Sequence, residues 1–484
     1  MSIWFERTII DELILAAVLL SIVVCGLWAA GHALLYKRDP RSALVWVILS
    51  LTVPILGALS YWMLGINRIT RRALRWRQRG QTLGLDQRIG FRPDRSAPLP
   101  EIFEHLRDLV VLGDRVARNR LQAGNRIELL ENGEQAYPAM LAAIEQARET
   151  INLSSYIFDG DGAGLSFVAA LAKAAQRGVA VRVIVDALGE RYSKVAARAA
   201  LEGSGVDIRL YLPLSRGPFI NLRNHRKLLI VDGLVAFSGG MNIRSRHCVE
   251  LAEPDQATID LHFRVQGPVI ADLQRTFLED WWFVSGELLD APCFFPALHA
   301  CDTAVVRAIA DGPDREFRKL EWIVMGALSS ARKRVRIMTP YFIPDRPMII
   351  ALTTAALRGV KISLLLPGQN NLPFVAWASR ASYWELLKNG IKIYEQQPPF
   401  VHTKLFQVDD CWTLIGSANL DTRSLRLNFE LNMSVYDLSF AATISRYFDR
   451  ALGRSRAIAL AQIDGRPLPV RLRDGAARLF SPYL

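Results

Sequence analysis

One residue pattern occurs twice in this 484-residue chain and constrains its fold more than any other feature. Each copy is a histidine, a lysine two residues later and an aspartate five residues after the lysine. The copies are His225, Lys227 and Asp232, then His402, Lys404 and Asp409. A glycine-containing segment ending in asparagine follows each copy at the same offset, at Asn242 and at Asn419. Because the chain has only seven histidines, two chance matches are improbable, and we expect two similar halves.

The segments around the two motifs also repeat. The matching pairs are 151–159 with 335–345, 167–178 with 349–359, 179–186 with 360–367, and 205–211 with 390–394. Each half alternates short apolar strand patterns with helical patterns, which predicts an α/β layer structure with mixed, mainly parallel sheets flanked by helices. Two similar halves imply a pseudo-twofold axis and one shared site, to which each half contributes one histidine.

Two apolar runs lie near the N-terminus. Leu13 to Leu35 and Ala43 to Leu64 carry no charge, and each is long enough to cross a bilayer as a helix. A signal peptide is the alternative for the first run, but acidic residues outnumber basic ones before it and a second run follows at once. We therefore predict a two-helix transmembrane hairpin at 1–66, which Pro54 bends in its second helix.

Charge predicts the orientation of this hairpin. Six arginines lie between Arg68 and Arg79, and no acidic residue follows until Asp86. The more positive flank should stay in the cytoplasm, so we expect the catalytic region there. The net charge of +12 indicates an anionic partner, and the arginines would contact anionic headgroups at the membrane surface. The five scattered cysteines predict neither a disulfide framework nor a structural zinc site.

The two motifs resemble the paired HKD motifs of the phospholipase D superfamily, and longer stretches resemble its bacterial cardiolipin synthase branch. Those stretches are 154–158, 186–189, 224–227, 339–345, 416–424, 427–430 and 480–484, whereas 244–258 and 396–400 depart from the branch. The resemblance implies two pseudosymmetric phospholipase D-like halves, at 125–300 and 301–484. They follow the hairpin and a basic juxtamembrane linker and helix at 67–124.

This resemblance implies a reaction in which two phosphatidylglycerol molecules form cardiolipin and release glycerol through a phosphohistidine intermediate. It implies no cofactor and no metal, and no nucleotide-binding loop of the G-x-x-x-x-G-K-[ST] type occurs. The expected partners are phosphatidylglycerol and anionic membrane lipid rather than nucleic acid. The expected location is the bacterial inner membrane, as a multi-pass protein. No oligomeric state is predicted.

Exchange of one alcohol for another on a phosphodiester needs a nucleophile, an acid and groups that hold the nonbridging oxygens. The family suggests His225 as the nucleophile and His402 as the general acid and later base, although pseudosymmetry leaves these roles reversible. Lys227, Lys404, Asn242 and Asn419 are the expected phosphate ligands.

Each imidazole also needs a partner for its second nitrogen. The aspartates of the two motifs follow apolar strands, so Asp232 and Asp409 are assigned mostly structural roles. The family resemblance points to Glu430 and Asp260 as histidine-orienting acids, with Glu250, Glu253 and Asp255 as rivals to Asp260.

Two alternative functions remain at this point. A phospholipase D or nuclease of the same superfamily would use water as the acceptor, and the basic charge suits nucleic acid as well as lipid. A noncatalytic scaffold that binds anionic lipid would tolerate a degraded motif, yet both motifs are intact.

Overall fold

The computed structural model describes residues 2–37, 40–65, 95–213, 222–313 and 318–481. The chain divides into two compact units, Met1–Trp76 and Arg77–Leu484. Both predicted halves therefore belong to a single unit, and the predicted boundaries between 125–300 and 301–484 stay predictions.

The N-terminal unit contains one long helix, Ser2–Tyr36, and a second apolar segment that is not one helix. Within the long helix, 25 residues from Glu12 to Tyr36 are apolar enough to cross a membrane, and no other helix in the described part of the chain passes that test. The second segment forms the helices Pro40–Thr52 and Pro54–Ser60 and a π-helical turn at Tyr61–Gly65.

The second span, predicted at 43–64, is therefore divided at Pro54, and the two-helix transmembrane hairpin stays a prediction. Pro54 has no N–H to donate to the preceding turn, and its ring crowds the carbonyl four residues back. The bend expected at Pro54 is a break of one residue, Val53, between Thr52 and Pro54. The predicted arginine-rich segment between Arg68 and Arg79 lies outside the described residues. The helix predicted after it comprises a 3₁₀ turn, Glu101–Leu106, and an α-helix, Arg107–Val116.

The second unit is built on strands numbered here in chain order. The first nine are β1 (Gln122–Glu131), β2 (Thr150–Ser155), β3 (Ala180–Asp186), β4 (Asp207–Tyr211), β5 (Arg223–Asn224), β6 (Leu228–Val231), β7 (Val235–Gly239), β8 (Thr258–Ile259) and β9 (Leu261–Gln266). The others are β10 (Ala304–Asp311), β11 (Arg334–Met338), β12 (Phe342–Ile343), β13 (Lys361–Pro367), β14 (Lys392–Gln396), β15 (Phe400–Val401), β16 (Leu405–Val408), β17 (Trp412–Gly416), β18 (Leu420–Asp421), β19 (Asn428–Tyr436) and β20 (Ser455–Ala457).

Helices connect and flank these strands. They are Asn132–Gln146, Gly162–Gln176, Ala197–Leu201, Ile270–Ser285, Lys319–Ser330, Arg346–Leu357, Pro373–Lys388, Thr422–Arg426, Leu438–Gly453, Leu460–Asp464 and Leu468–Arg478. Short 3₁₀ turns lie at Gly189–Tyr192, Ser245–His247 and Pro292–Phe294.

One sheet runs through both halves, in the order β20-β14-β13-β11-β16-β17-β19-β10-β1-β9-β7-β6-β2-β3-β4. From its central pair, β10 and β1, the two directions repeat each other strand for strand, and only β20 has no counterpart. This arrangement agrees with the predicted pseudo-twofold, and the predicted α/β class with two similar halves is confirmed.

The sheet is mixed as predicted, but the description "mainly parallel" is wrong. Along this strand order, parallel pairs occupy only the outer part of each half, at β2–β3–β4 and β11–β13–β14. The short strand β5, which lies off this order, adds one parallel pair with β19. The central strands are antiparallel because each motif strand returns through a tight turn, from β6 to β7 and from β16 to β17. All four residues of β6 and of β16 are buried, which explains why β6 is entirely apolar. In β16 the one polar residue, Gln407, donates to the Ala441 carbonyl at 2.7 Å.

Candidate active site

Two short strand pairs join the halves and fix the backbone of each motif histidine. β5, which directly precedes His225, lies parallel to β19, and the His225 N–H donates to the Phe429 carbonyl at 2.9 Å. β15, which precedes His402, lies parallel to β8, and the His402 N–H donates to the Ile259 carbonyl at 2.7 Å. Each histidine is therefore anchored to a strand of the other half.

The same crossing brings a carboxylate to each imidazole. His225 Nδ1 lies 3.0 Å from Glu430 Oε2, and His402 Nδ1 lies 2.7 Å from Asp260 Oδ2. Both acids are fully buried. A carboxylate on Nδ1 leaves Nε2 as the nitrogen available for chemistry and fixes the orientation of the ring.

The rival acids lie elsewhere. Glu250, Glu253 and Asp255 are exposed, whereas Asp260 is buried beside His402. A sequence signal for Asp260 did exist, because Thr-Ile-Asp-Leu at 258–261 matches Asn-Phe-Glu-Leu at 428–431, and each begins the strand segment that follows its motif. The geometry supports the orienting contact that was expected of Glu430 and of Asp260.

Neighbouring groups hold the two acids differently. Ser417 Oγ donates to Glu430 Oε2 at 2.5 Å, and the Asn428 amide donates to Glu430 Oε1 at 3.0 Å. The residue that matches Ser417 in the first half is Gly240, where an added Cβ would lie 2.3 Å from Asp260 Oδ1. The first half therefore needs glycine for close approach, while the second gains a hydroxyl donor. Ser417 was not among the predicted site residues.

Both motif lysines fold back on their own histidines. Lys227 Nζ donates to the His225 carbonyl at 2.6 Å, and Lys404 Nζ donates to the His402 carbonyl. Lys404 Nζ also lies 2.8 Å from His402 Nδ1 and 3.8 Å from Asp260 Oδ2. Lys404 is thus held beside the His402 ring, and Lys227 is held by the backbone of His225.

Electrostatics links the two motifs. Burial, with the charge of Lys404, lowers the pKa of Lys227 to about 7, although Glu430 opposes this shift. Burial also lowers the pKa of Lys404 to about 8, against the effect of Asp260 and Glu430. The charges of both Asp260 and Glu430 therefore act on each lysine, as expected for one shared site. Two ammonium groups in one buried site predispose it to bind an anion.

The pKa values of both histidines and of both acids are lowered. Burial lowers the pKa of His225 below its usual value although Glu430 opposes the shift. Burial and Lys404 likewise lower the pKa of His402. Burial alone would raise the pKa of Asp260 and of Glu430, but the cationic groups and the histidine beside each acid outweigh burial and lower both. The resting site therefore holds two carboxylates and two neutral imidazoles.

The motif asparagines occupy equivalent places just beyond β7 and β17. Asn242 Oδ1 accepts from the Ile157 N–H at 3.2 Å, which leaves its amide group to donate elsewhere. The Asn419 amide donates to Ser424 Oγ at 3.2 Å. Both side chains are buried, and their phosphate-binding role stays a prediction.

The motif aspartates lie outside this group of side chains. Asp232 accepts from the N–H groups at 148, 149 and 150, at 2.8–2.9 Å, and Asp409 accepts from those at 332, 333 and 334, at 2.7–2.9 Å. Each carboxylate ties the turn after its motif strand to the start of the adjacent strand, β2 or β11. This geometry supports the structural role argued from the sequence and not a catalytic one.

An aromatic side chain flanks each imidazole, and neither was predicted. The Tyr156 ring centroid lies 5.1 Å from that of His225, and the Tyr341 centroid lies 6.2 Å from that of His402. The two tyrosines occupy matching positions after β2 and β11. Their place in the repeat is the signal that could have revealed them.

Within the described residues, no group of three or more His, Cys, Asp or Glu side chains is placed to hold a metal ion. The side chains brought together are instead two imidazoles, two ammonium groups and two carboxylates. This set suits attack on a phosphodiester by imidazole, with cations to balance its oxygens.

Comparison with known proteins gives two family matches. The family described as "Cardiolipin synthase, PLD-like domain" matches residues 140–281 and 324–452, which include both motifs. The family described as "Phospholipase D-nuclease N-terminal" matches residues 25–65.

Individual proteins are similar over nearly the full chain. A cardiolipin synthase of Geobacillus kaustophilus is 32% identical over 93% of this chain and 90% of its own length. Cardiolipin synthase A of Pseudomonas putida is 33% identical over 95% of this chain and 96% of its own length. The crystal structure of phosphatidylserine synthase from Haemophilus influenzae has the same fold, with a TM-score of 0.62 and 14% identity, covering 78% of this chain and all of that one.

Proposed function

Because the chain belongs to the cardiolipin synthase family of phospholipase D-like proteins, we propose that it condenses two phosphatidylglycerol molecules into cardiolipin and releases glycerol. The observation that carries this proposal is the crossed pair of contacts, His225 with Glu430 and His402 with Asp260. Two imidazoles oriented in this way can share one phosphodiester, one as nucleophile and one as acid.

In the first half of the reaction, His225 Nε2 attacks the phosphorus of the donor lipid as a free imidazole. The bond to the glycerol headgroup breaks, and His402 gives that alkoxide a proton. His225 then carries the phosphatidyl group on Nε2, while Glu430 accepts the Nδ1–H and balances the positive ring. The lowered pKa of His225 favours the free base that this step needs.

His402 must carry a proton for this step, although burial and Lys404 disfavour its charged form. Asp260, ionised and 2.7 Å from Nδ1, opposes that effect. Arrival of the anionic phosphate beside Lys404 would oppose it further, because the phosphate offsets the ammonium charge. Protonation of His402 is therefore coupled to substrate binding.

In the second half, His402 removes a proton from a headgroup hydroxyl of the second phosphatidylglycerol. The hydroxyl oxygen attacks phosphorus, the bond from His225 to phosphorus breaks, and cardiolipin forms. One phosphodiester replaces another, so the exchange consumes no nucleotide. Lys227, Lys404 and the two motif asparagines would hold the nonbridging oxygens in both steps.

We further propose that the N-terminal unit anchors the enzyme in the bacterial inner membrane, with the catalytic unit in the cytoplasm. The apolar helix within Ser2–Tyr36 supports anchoring, and the arginines after the second apolar segment support the orientation. Multi-pass insertion would require residues 40–65 to cross as well, despite the interruption at Pro54.

Product analysis tests the proposed reaction. Full-length enzyme in liposomes would receive phosphatidylglycerol labelled separately in its acyl chains and in its headgroup glycerol. We expect labelled cardiolipin and free glycerol in equal amounts. Phosphatidic acid as the main product would instead establish a hydrolase. The variants His225→Ala and His402→Ala should each lose all turnover. The matched control is His299→Ala, which removes an exposed histidine outside the site and should keep wild-type turnover.

A further inference from the structure

The last helix of the chain, Leu468–Arg478, presents apolar side chains outward. Leu468, Leu472 and Leu479 are 64%, 63% and 78% exposed, and Phe480 is 53% exposed. These four residues form what we call the C-terminal ridge. Leu468 and Leu472 lie on the helix, and Leu479 and Phe480 follow it directly. Large apolar side chains exposed together indicate a surface that another apolar phase covers.

The opposite face of the same helix is well packed, so the ridge is not a sign of a loosely held terminus. Asp474 and Ala477 are 1% exposed. Arg466 donates to Asp474 at 2.7 Å, as does Arg473, and the Arg473 guanidinium lies 4.6 Å from the Trp377 ring. The helix therefore holds a fixed orientation against the helix Pro373–Lys388.

The ridge continues onto that neighbouring helix. Phe374 and Phe480 have ring centroids 5.5 Å apart, and Leu372 is exposed beside Phe374 in the chain. The apolar surface therefore extends over two packed elements and exceeds what a single amphipathic turn provides.

Positive charge borders the ridge. Arg471 and Arg478 are exposed, and neither has an ion-pair partner among residues 95–213, 222–313 and 318–481. Apolar side chains with arginines along their edge are typical of a helix that lies in the interface of an anionic bilayer. A protein partner would have to match the shape of the ridge, whereas a lipid surface needs only its hydrophobicity and charge.

The ridge is also connected to the candidate active site. Ala477 packs with Ile343 and Val375 in a small buried cluster, and the partly buried Tyr341 packs against this cluster. The Tyr341 ring faces His402, and its hydroxyl donates to Asn371 Oδ1 at 2.9 Å, one residue before Leu372. The wall of the site on the His402 side is thus continuous with the base of the ridge.

We propose that the C-terminal ridge docks into the anionic membrane surface and presents lipid headgroups to the His402 side of the site. This inference rests on the proposed function, since it supplies the route by which the phosphatidylglycerol headgroups reach the shared phosphate position. The N-terminal helix would tether the chain, while the ridge sets the contact of the catalytic unit with the bilayer.

The test uses the full-length variant Leu472→Glu/Leu479→Glu with two substrates. On phosphatidylglycerol in bilayers we expect about tenfold lower cardiolipin formation, since glutamates remove apolar contact and repel anionic lipid. On short-chain phosphatidylglycerol dispersed as monomers we expect unchanged activity. The variant Leu357→Glu/Leu438→Glu, at exposed leucines outside the ridge, should match the wild type on both.

Hydrogen exchange supplies a readout independent of catalysis. In wild-type protein, backbone amides from 468 to 481 should exchange more slowly in phosphatidylglycerol liposomes than in detergent, and the ridge variant should lose this protection. Unchanged exchange, or an equal loss of activity on bilayer and monomeric substrates, would overturn the proposal. Protection without any cardiolipin formation would instead refute the proposed function and leave the docking surface in place.

Discussion

Glu430→Gln is the substitution that most sharply tests the orienting role of the carboxylates. Glutamine has the same shape and can still accept from Ser417, but it carries no charge to balance the His225 imidazolium. A hydrogen bond to a charged group contributes about 1.5–3 kcal/mol, and about 1.4 kcal/mol corresponds to tenfold in rate. We therefore expect kcat to fall by about 10- to 100-fold, the range typical of residues that orient a catalytic ligand.

The pH profile separates this role from simple loss of structure. Glu430 raises the pKa of His225, so its neutralisation should lower that pKa further. The limb of kcat/KM that reports deprotonation of His225 should therefore move to lower pH in the variant. A merely structural effect would reduce the rate at every pH and leave the limb in place.

The assay is cardiolipin formation in phosphatidylglycerol liposomes between pH 5 and pH 9, with protein content matched after reconstitution. Glu250→Gln removes the same charge from an exposed acid and should behave as wild type. Wild-type turnover in Glu430→Gln, or a limb displaced to higher pH, would refute the crossed carboxylate as a catalytic support.

Three further predictions follow from buried charge. Asp409→Asn should lower the free energy of unfolding by about 1.5–3 kcal/mol, since a neutral amide replaces the anionic acceptor of three backbone N–H groups. Thermal unfolding measures this change. Lost turnover without a change in Tm would contradict the structural role. Burial lowers the pKa of His262 to about 3. Because the unfolded chain binds this proton near pH 6.5 and the folded chain does not, the free energy of unfolding should fall by about 1.4 kcal/mol per pH unit below pH 6.5. His262→Asn, which copies Asn432 of the other half, should show a shallower loss of Tm between pH 6.5 and pH 5, and an unchanged slope would count against a neutral buried imidazole. Burial lowers the pKa of Lys227 to about 7, so binding of a non-reactive phosphodiester at pH 8 should protonate it, in addition to protons taken up at Lys404 and His402. Calorimetry in two buffers measures this uptake. Lys227→Met should take up fewer protons than the wild type, and an equal uptake would contradict the prediction.

Most of the features that could be predicted from the sequence followed from the duplicated motif. Its spacing predicted two halves and two histidines because His, Lys and Asp recur at fixed offsets. The position of Asp232 after an apolar strand was enough to argue a structural role. These inferences depend on local sequence, and local sequence determines which side chains lie at a strand end or in a tight turn.

The remaining features depend on contacts between distant segments. The alternation of strands and helices suggested a mainly parallel sheet, but the strands within each motif form hairpins that impose antiparallel pairing. The repeat and the family resemblance favoured Asp260, but its contact with His402 depends on the pairing of β8 with β15, which are far apart in the sequence. Whether Pro54 would bend or break the second apolar helix depended on whether the neighbouring turns could compensate for the hydrogen bond that proline cannot make. Hydropathy alone does not report this.

The central claim is that two histidines from different halves serve one phosphodiester, with the phosphatidyl group carried on His225. Enzyme mixed with acyl-labelled phosphatidylglycerol for less than one turnover can be quenched in alkaline detergent, which preserves a phosphoramidate, and analysed by peptide mass spectrometry. We predict one phosphatidyl adduct, on the peptide that contains His225, and none in His225→Ala. An adduct on the His402 peptide would contradict the assigned roles, and cardiolipin formation without an adduct on either histidine would contradict the claim itself.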